Sequence, residues 1–193
     1  MTVRGVIDEQ RVQPLLAEFR EKAELLGVTV VRAGSVGDAA QVLANWVLSG
    51  ESRAVVATTE LLERALNLEA LLEAAGIEVN PSASPVETRD TPFGLSLARL
   101  AIAETGSLLL CEPSLADRSV GMLSLAHAII CPTTALAPSL ADAAPELRRL
   151  ALQPGGSFTT LVTGPSRTAD IERVLTVGVQ GPGAVLALFV DEL

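Results

Sequence analysis

The chain is poor in the residues that most often hold metals and clusters. Of its 193 residues, two are cysteine (Cys111 and Cys131) and one is histidine (His127). The cysteines stand apart, with no CxxC pair and no Cys/His grouping. The chain therefore offers no ligand set of its own for structural zinc or an iron–sulfur cluster. A disulfide framework is not expected, because a chain of this length can bury a core without one. Lysine is nearly absent, Lys22 being the only one among 14 basic residues. Against 23 acidic residues this gives a formal net charge of −9, which argues against the basic footprint of a nucleic-acid binder. No basic stretch followed by an apolar one opens the sequence, so no signal peptide is expected. Apolar runs are strand-length, too short to span a membrane. Without a leader, the final Val190-Asp191-Glu192-Leu193 has no force as a retention signal. The expectation is an acidic, cytoplasmic protein.

What is present is apolar: 49% of the residues, enough to offset the entropy of ordering. Apolar steps of three and four at Val12, Leu15, Leu16, Phe19, Ala23 and Leu26 predict a helix over 9–26, stopped by Gly27. The β-branched run Val28–Val31 predicts a strand. Ser35 and Asp38 form a capping-box pattern before a helix over 39–48, with Val42, Leu43, Trp46 and Val47 as core. A buried strand follows at Ala54–Ala57. Thr59 then caps a helix over 60–75, Gly76 ends it, and Ile77–Val79 is a strand. The proline-bearing stretch 80–92 reads as an exposed loop and 93–100 as a helix. Residues 101–111 read as strand, turn, strand. Further strands are predicted at Ala126–Cys131, Phe158–Val162 and Ala184–Val190, and helices over 139–150 and 169–177. This alternation predicts one α/β domain over 1–193, a single open, mainly parallel sheet flanked by helices.

Three segments carry polar groups where chemistry is served. After the strand ending at Val162 comes a tight turn at Gly164-Pro165. Ser166, Arg167 and Thr168 follow where a helix is predicted to start, with Asp170 in its first turn. A helix start offers free N–H groups and partial positive charge; two hydroxyls and a guanidinium add to its fitness for a carboxylate or phosphate. Ligands in open parallel sheets sit at the carboxyl ends of strands, where this turn is expected. The same residues also read as an ordinary helix cap with a surface arginine, and no GxxxxGK[ST] makes it a P-loop.

Glu104, flanked by apolar strand residues, needs a partner if buried and suits a general base or nucleophile. Thr105 and Ser107 place hydroxyls beside it, and Gly106 permits close backbone approach. A solvated turn glutamate is the other reading. The stretch Gly178–Gly183, with Gln180 and Gly181, reads first as a turn and second as lining of the same cleft. His127 reads as a hydrogen-bonded core residue ahead of a general base, Arg118 as the solvated partner of an acid in a loop, and both cysteines as buried thiols. There is no GxSxG elbow and no legible Ser/His/Asp triad.

The run Gly164-Pro-Ser-Arg-Thr-Ala-Asp-Ile-Glu172, followed by Gly178-Val-Gln-Gly-Pro182, resembles the C-terminal signature of the LUD-domain family, lactate-utilisation protein C type. Ala103-Glu-Thr-Gly-Ser-Leu-Leu-Leu110 resembles that family's central motif, and the order and spacing over about residues 28–193 agree. The resemblance implies a fold similar to the sugar-phosphate isomerase and CoA-transferase-like (NagB/RpiA) α/β class. It implies a part in bacterial L-lactate utilisation, as a non-redox protein beside iron–sulfur protein partners that oxidise lactate to pyruvate. The partners would carry the cysteines this chain lacks, so no cofactor or metal is expected here. The chain departs from the family pattern at Gln180, where Gly-Val-His-Gly-Pro is usual; glutamine keeps hydrogen bonding but cannot carry a proton.

The resulting expectation is a lactate-utilisation component that binds a small carboxylate or phosphate at the Gly164–Asp170 helix start. Its lining would be Thr105, Gly106, Ser107, Gly164, Ser166, Arg167, Thr168, Asp170, Gln180 and Gly181. The competing expectation is a stand-alone enzyme on a sugar phosphate, acyl-CoA or folate, with Glu104 as base or nucleophile. A binding module without chemistry is the third. Whether the chain is catalytic stays open at this point.

Overall fold

A computed structural model describes residues 7–89, 91–153, 157–168, 176–178 and 181–193. In chain order the elements are α1 (Glu9–Leu25), β1 (Val28–Ala33), α2 (Val36–Ser49), β2 (Ala54–Ala57), α3 (Thr59–Arg64), α4 (Leu68–Ala74) and β3 (Glu78–Pro81). Then follow α5 (Pro85–Arg89), β4 (Phe93–Leu97), β5 (Leu100–Ile102), β6 (Ser107–Cys111), α6 (Leu115–Leu123), β7 (Ala126–Pro132) and β8 (Leu136–Ala137). The last are α7 (Leu140–Ala151), β9 (Thr159–Val162), β10 (Arg167–Thr168), β11 (Thr176–Val177) and β12 (Ala184–Val190).

Helix ends follow local chemistry. The Asp8 side chain accepts from Arg11 N at the start of α1, and Gly27 beyond its end takes φ +84°. Ser35 and Asp38 make the reciprocal capping box that opens α2. Four local expectations are corrected. The helix over 60–75 is two helices, α3 and α4, divided at Asn67 with φ 70°, and its N-cap is Thr58 rather than Thr59. The loop over 80–92 contains α5 and a buried Thr88. The helix over 93–100 is the fully buried strand β4. A run covered on both faces has no alternation, so period alone cannot tell it from a buried helix. Finally, no helix begins at Arg167: Arg167 and Thr168 form β10, paired antiparallel with β11. The helix over 169–177 lies outside the described residues up to 175, and Thr176–Val177 is strand.

Six strands form a parallel sheet in the order β1-β12-β7-β4-β2-β3, as the α/β expectation requires. A second, mixed sheet runs β8-β5-β6-β9, with β6 antiparallel to both neighbours. Central β12 shows why the parallel strands read as unbroken apolar runs. Leu186, Leu188 and Val190 pack with α2, α3 and α4 on one face. Val185, Ala187 and Phe189 pack with α1 and the second sheet on the other. Phe19 of α1 meets Phe189 edge-on, ring centroids 5.0 Å apart. The second sheet thus covers one face of the first, and the ends of the parallel strands are left as two distinct edges.

Candidate functional site

The amino edge gathers the motif residues. The Gly164–Arg167 turn lies here, not at the carboxyl ends as expected, because β9 before it belongs to the second sheet, antiparallel to β6. Ser166 N donates to Pro182 O (2.8 Å) just before β12, and Gly183 N donates to Leu125 O (2.8 Å) just before β7. The two motifs meet through hydroxyls. Thr105 Oγ1 donates to Ser107 Oγ (2.8 Å), and Ser107 Oγ lies 3.0 Å from Thr163 Oγ1.

Both motifs also clasp the last turn of α1. Gly106 sits at φ +66°, and a Cβ there would lie 2.7 Å from Ala23 N, so only glycine fits without a shift. The Arg167 guanidinium donates to Leu26 O at the end of α1. A shallow cleft here is lined by Leu26, Thr163, Gly164, Pro165 and Arg167. A Cβ on Gly181 would lie 3.3 Å from that of Ser166, so the Gly178–Gly183 turn abuts the same spot. Thr105, Gly106, Ser107, Gly164, Ser166, Arg167 and Gly181 are therefore brought to one neighbourhood, with Thr168 next to them in β10. Asp170 and Gln180 lie outside the described residues. Glu104 is engaged elsewhere: it is exposed, and its Oε2 accepts from Leu140 N (3.1 Å) at the start of α7.

The carboxyl edge holds a constellation that sequence reasoning missed. A cleft of about 190 Å³ is lined by Thr58, Glu60, Leu97, Arg99, Glu112 and Asp117, among others. Glu112 Oε1 accepts from Ser96 Oγ (2.8 Å), and Ser96 Oγ lies 2.9 Å from His127 Nε2. Ser96 and His127 are fully buried on β4 and β7. Ser96 Oγ thus bridges the two groups, and when it donates to an ionised Glu112 the His127 Nε2 donates to Ser96. Burial pushes the Glu112 carboxyl up to about 7, against the lowering hydrogen bond from Ser96. Burial takes His127 down to about 4, so its ring is neutral at physiological pH.

Asp117 behaves in the opposite way. Burial alone would raise it, but hydrogen bonds from Ser114 Oγ, Ser82 Oγ and Thr59 N outweigh that and hold it below the ordinary aspartate value. It staples the loops after β2, β3 and β6 into one rim. Arg99 reaches Glu60 with a single nitrogen (2.7 Å), and its Nε is buried with no acceptor. Arg118, expected in a loop beside an acid, lies in α6, donates to Pro113 O (2.7 Å) and stacks over the Phe158 ring at 4.3 Å. Both cysteines are buried free thiols, raised by desolvation. Among the described residues no group of His, Cys, Asp and Glu could hold a metal ion, and no helix is long and apolar enough to cross a membrane.

Parallel strands between helices, with polar clusters at both strand ends, define an α/β protein. The chain belongs to the LUD domain family, whose model matches residues 16–190. It is similar to lactate utilization protein C of Macrococcus caseolyticus, 32% identical over 102 residues, which cover 51% of this chain and 44% of that protein. The same-named protein of Oceanobacillus iheyensis is 34% identical over 100 residues, covering 51% and 43%. That of Bacillus subtilis is 30% identical over 102 residues, covering 51% and 42%. The matches thus span less than half the length of these curated relatives. In fold, the chain is similar to a DUF162 family protein from Deinococcus radiodurans, with TM-score 0.66 and 18% identity over 93% of this chain and 98% of that one.

Proposed function

We propose that this chain is a non-redox component of an L-lactate utilisation system and acts beside iron–sulfur proteins that carry the electrons. Its amino-edge motif face binds a small carboxylate or phosphate. One observation carries this reading: two motifs some sixty residues apart in the sequence meet at the end of α1, joined by the Ser107–Thr163 hydroxyl contact of 3.0 Å. Arg167, bonded there to one carbonyl, keeps further donors of its five for an anion. The relatives' names supply the lactate context. The chain's own lack of a cysteine cluster suits a division of labour in which the partners hold the redox centres.

Thermal unfolding of the purified chain with L-lactate, pyruvate or phosphate tests the anion site. A ligand at 100 times its Kd stabilises by about 2.7 kcal/mol. Arg167→Ala removes a charge-assisted contact worth about 1.5–3 kcal/mol, so affinity falls roughly 10- to 100-fold. Unchanged affinity rejects the site. Co-expression with iron–sulfur proteins of a lactate-utilisation system tests the partnership, and failure to co-purify rejects it.

A further inference from the structure

The carboxyl-edge cleft takes no part in the reading above, yet it has the makings of a binding site. It opens where the chain leaves β2 for α3 on one face and leaves β4 for the second sheet on the other. Crevices at diverging carboxyl ends are where open α/β sheets bind ligands. Arg99 on its wall is under-used, with one single-point ion pair to Glu60 and a buried Nε that has no acceptor. A buried donor without an acceptor calls for a missing partner, and a guanidinium is best served by a bidentate carboxylate. Glu60 can release Arg99 at little loss, since Arg64 lies 3.6 Å from its other oxygen. Across the cleft, Glu112 is tied through Oε1 to Ser96, and among the described residues no partner reaches its Oε2.

We propose that this cleft binds a small 2-hydroxy or 2-oxo acid, its carboxylate on Arg99 and its hydroxyl or oxo oxygen on Glu112. The proposal rests on the lactate reading for its choice of probes, L-lactate and pyruvate. The two probes differ in what they ask of Glu112. The oxo oxygen of pyruvate only accepts and needs a protonated carboxyl; the lactate hydroxyl donates or accepts and pairs with either state. The group changes state near pH 7. The charged groups around it are Asp117 and Arg118 of α6, Glu60 of α3 and Arg99 between β4 and β5. His127 stands behind Ser96 and stays neutral across this range.

The sole histidine gives one resolved probe. The His127 imidazole ¹⁵N resonances, two hydrogen bonds from Glu112, report on this cleft through Ser96. Because His127 lies near the start of β7, two residues after Leu125, which accepts from Gly183 N, the Arg99→Gln and Arg167→Ala variants assign the response to one edge. Pyruvate should perturb them and bind about tenfold tighter at about pH 6 than at about pH 8, whereas L-lactate should bind with much less change over that range. Glu112→Gln should abolish the pH dependence of pyruvate binding. Arg99→Gln should weaken both acids about tenfold or more, with Arg99→Lys retaining part of the affinity if the fold is intact. Three results would each overturn the proposal: no His127 response to either acid, a pyruvate affinity independent of pH, or a response lost in Arg167→Ala but kept in Arg99→Gln. Failure of the lactate-utilisation role is read separately, in the co-purification.

Discussion

At the amino edge the side chains drawn from the two motifs are mostly hydroxyls and glycines, gathered around the last turn of one helix. At the carboxyl edge, none of the polar residues comes from a motif, and the decisive ones titrate or carry charge. The amino edge is built for close backbone approach: Gly106 admits α1, and Ser107 ties β6 to the turn after β9. The carboxyl edge is built to hold ionisable groups in an environment that moves them, Glu112 upward and Asp117 downward, with the two carboxylates lining one cleft. A sequence motif and a reactive environment are thus separate properties, and here they occupy opposite ends of one sheet.

The largest effect that would sharpen this contrast is at Gly106. Gly106→Ala combines a left-handed backbone with a Cβ pressed on Ala23 N, and should cost about 2–4 kcal/mol in the denaturant midpoint. A loss below about 0.5 kcal/mol would break the claim that the amino edge depends on close approach.

Next comes the pH dependence of Glu112. Its folded value lies above its unfolded one, so the folded state binds more protons between about pH 4.5 and 7, and its contribution to stability falls as pH rises through that window. His127 does the reverse: with a folded value near 4, its contribution rises with pH between about 4 and 6.5. The two oppose each other over most of the range. The difference between Glu112→Gln and the parent should move in the variant's favour by about 3 kcal/mol from about pH 4.5 to 7.5. A difference that is flat with pH would place Glu112 in ordinary solvent.

Smaller effects follow at the motif face. Ser107→Ala removes the middle of the Thr105–Ser107–Thr163 chain and should cost about 1–2 kcal/mol. Glu104→Ala removes an acceptor from the start of α7 and should cost about 0.5–1 kcal/mol, with loss of helicity confined to that helix in hydrogen exchange. An intact α7 with lost ligand binding would instead return Glu104 to the role of base or nucleophile.

Much of the fold was legible because its signals are local. The α1 periodicity, the Ser35–Asp38 box and the apolar run of β12 each point one way. β4 was misread because both its faces are buried, which removes the alternation that marks a strand. That error hid Ser96 and Arg99, which only a strand delivers to the carboxyl edge beside Glu112. Glu112 itself follows an apolar strand with nothing local to mark it. Its partners Ser96 and His127 come from β4 and β7, a pairing that exists only once the sheet is assembled. The motif residues were found, but their edge was not: β9 was read as part of the parallel sheet, and antiparallel pairing to β6 moved the turn to the other end.

The most direct test is a titration of Glu112 itself, by ¹³C NMR of the carboxyl carbon with Glu112→Gln to assign it. The expected midpoint is near 7, moved by removal of the Ser96 hydroxyl in Ser96→Ala. A midpoint near 4.5, indifferent to Ser96, would mean that the carboxyl edge is ordinary surface and that the contrast between the two edges does not exist.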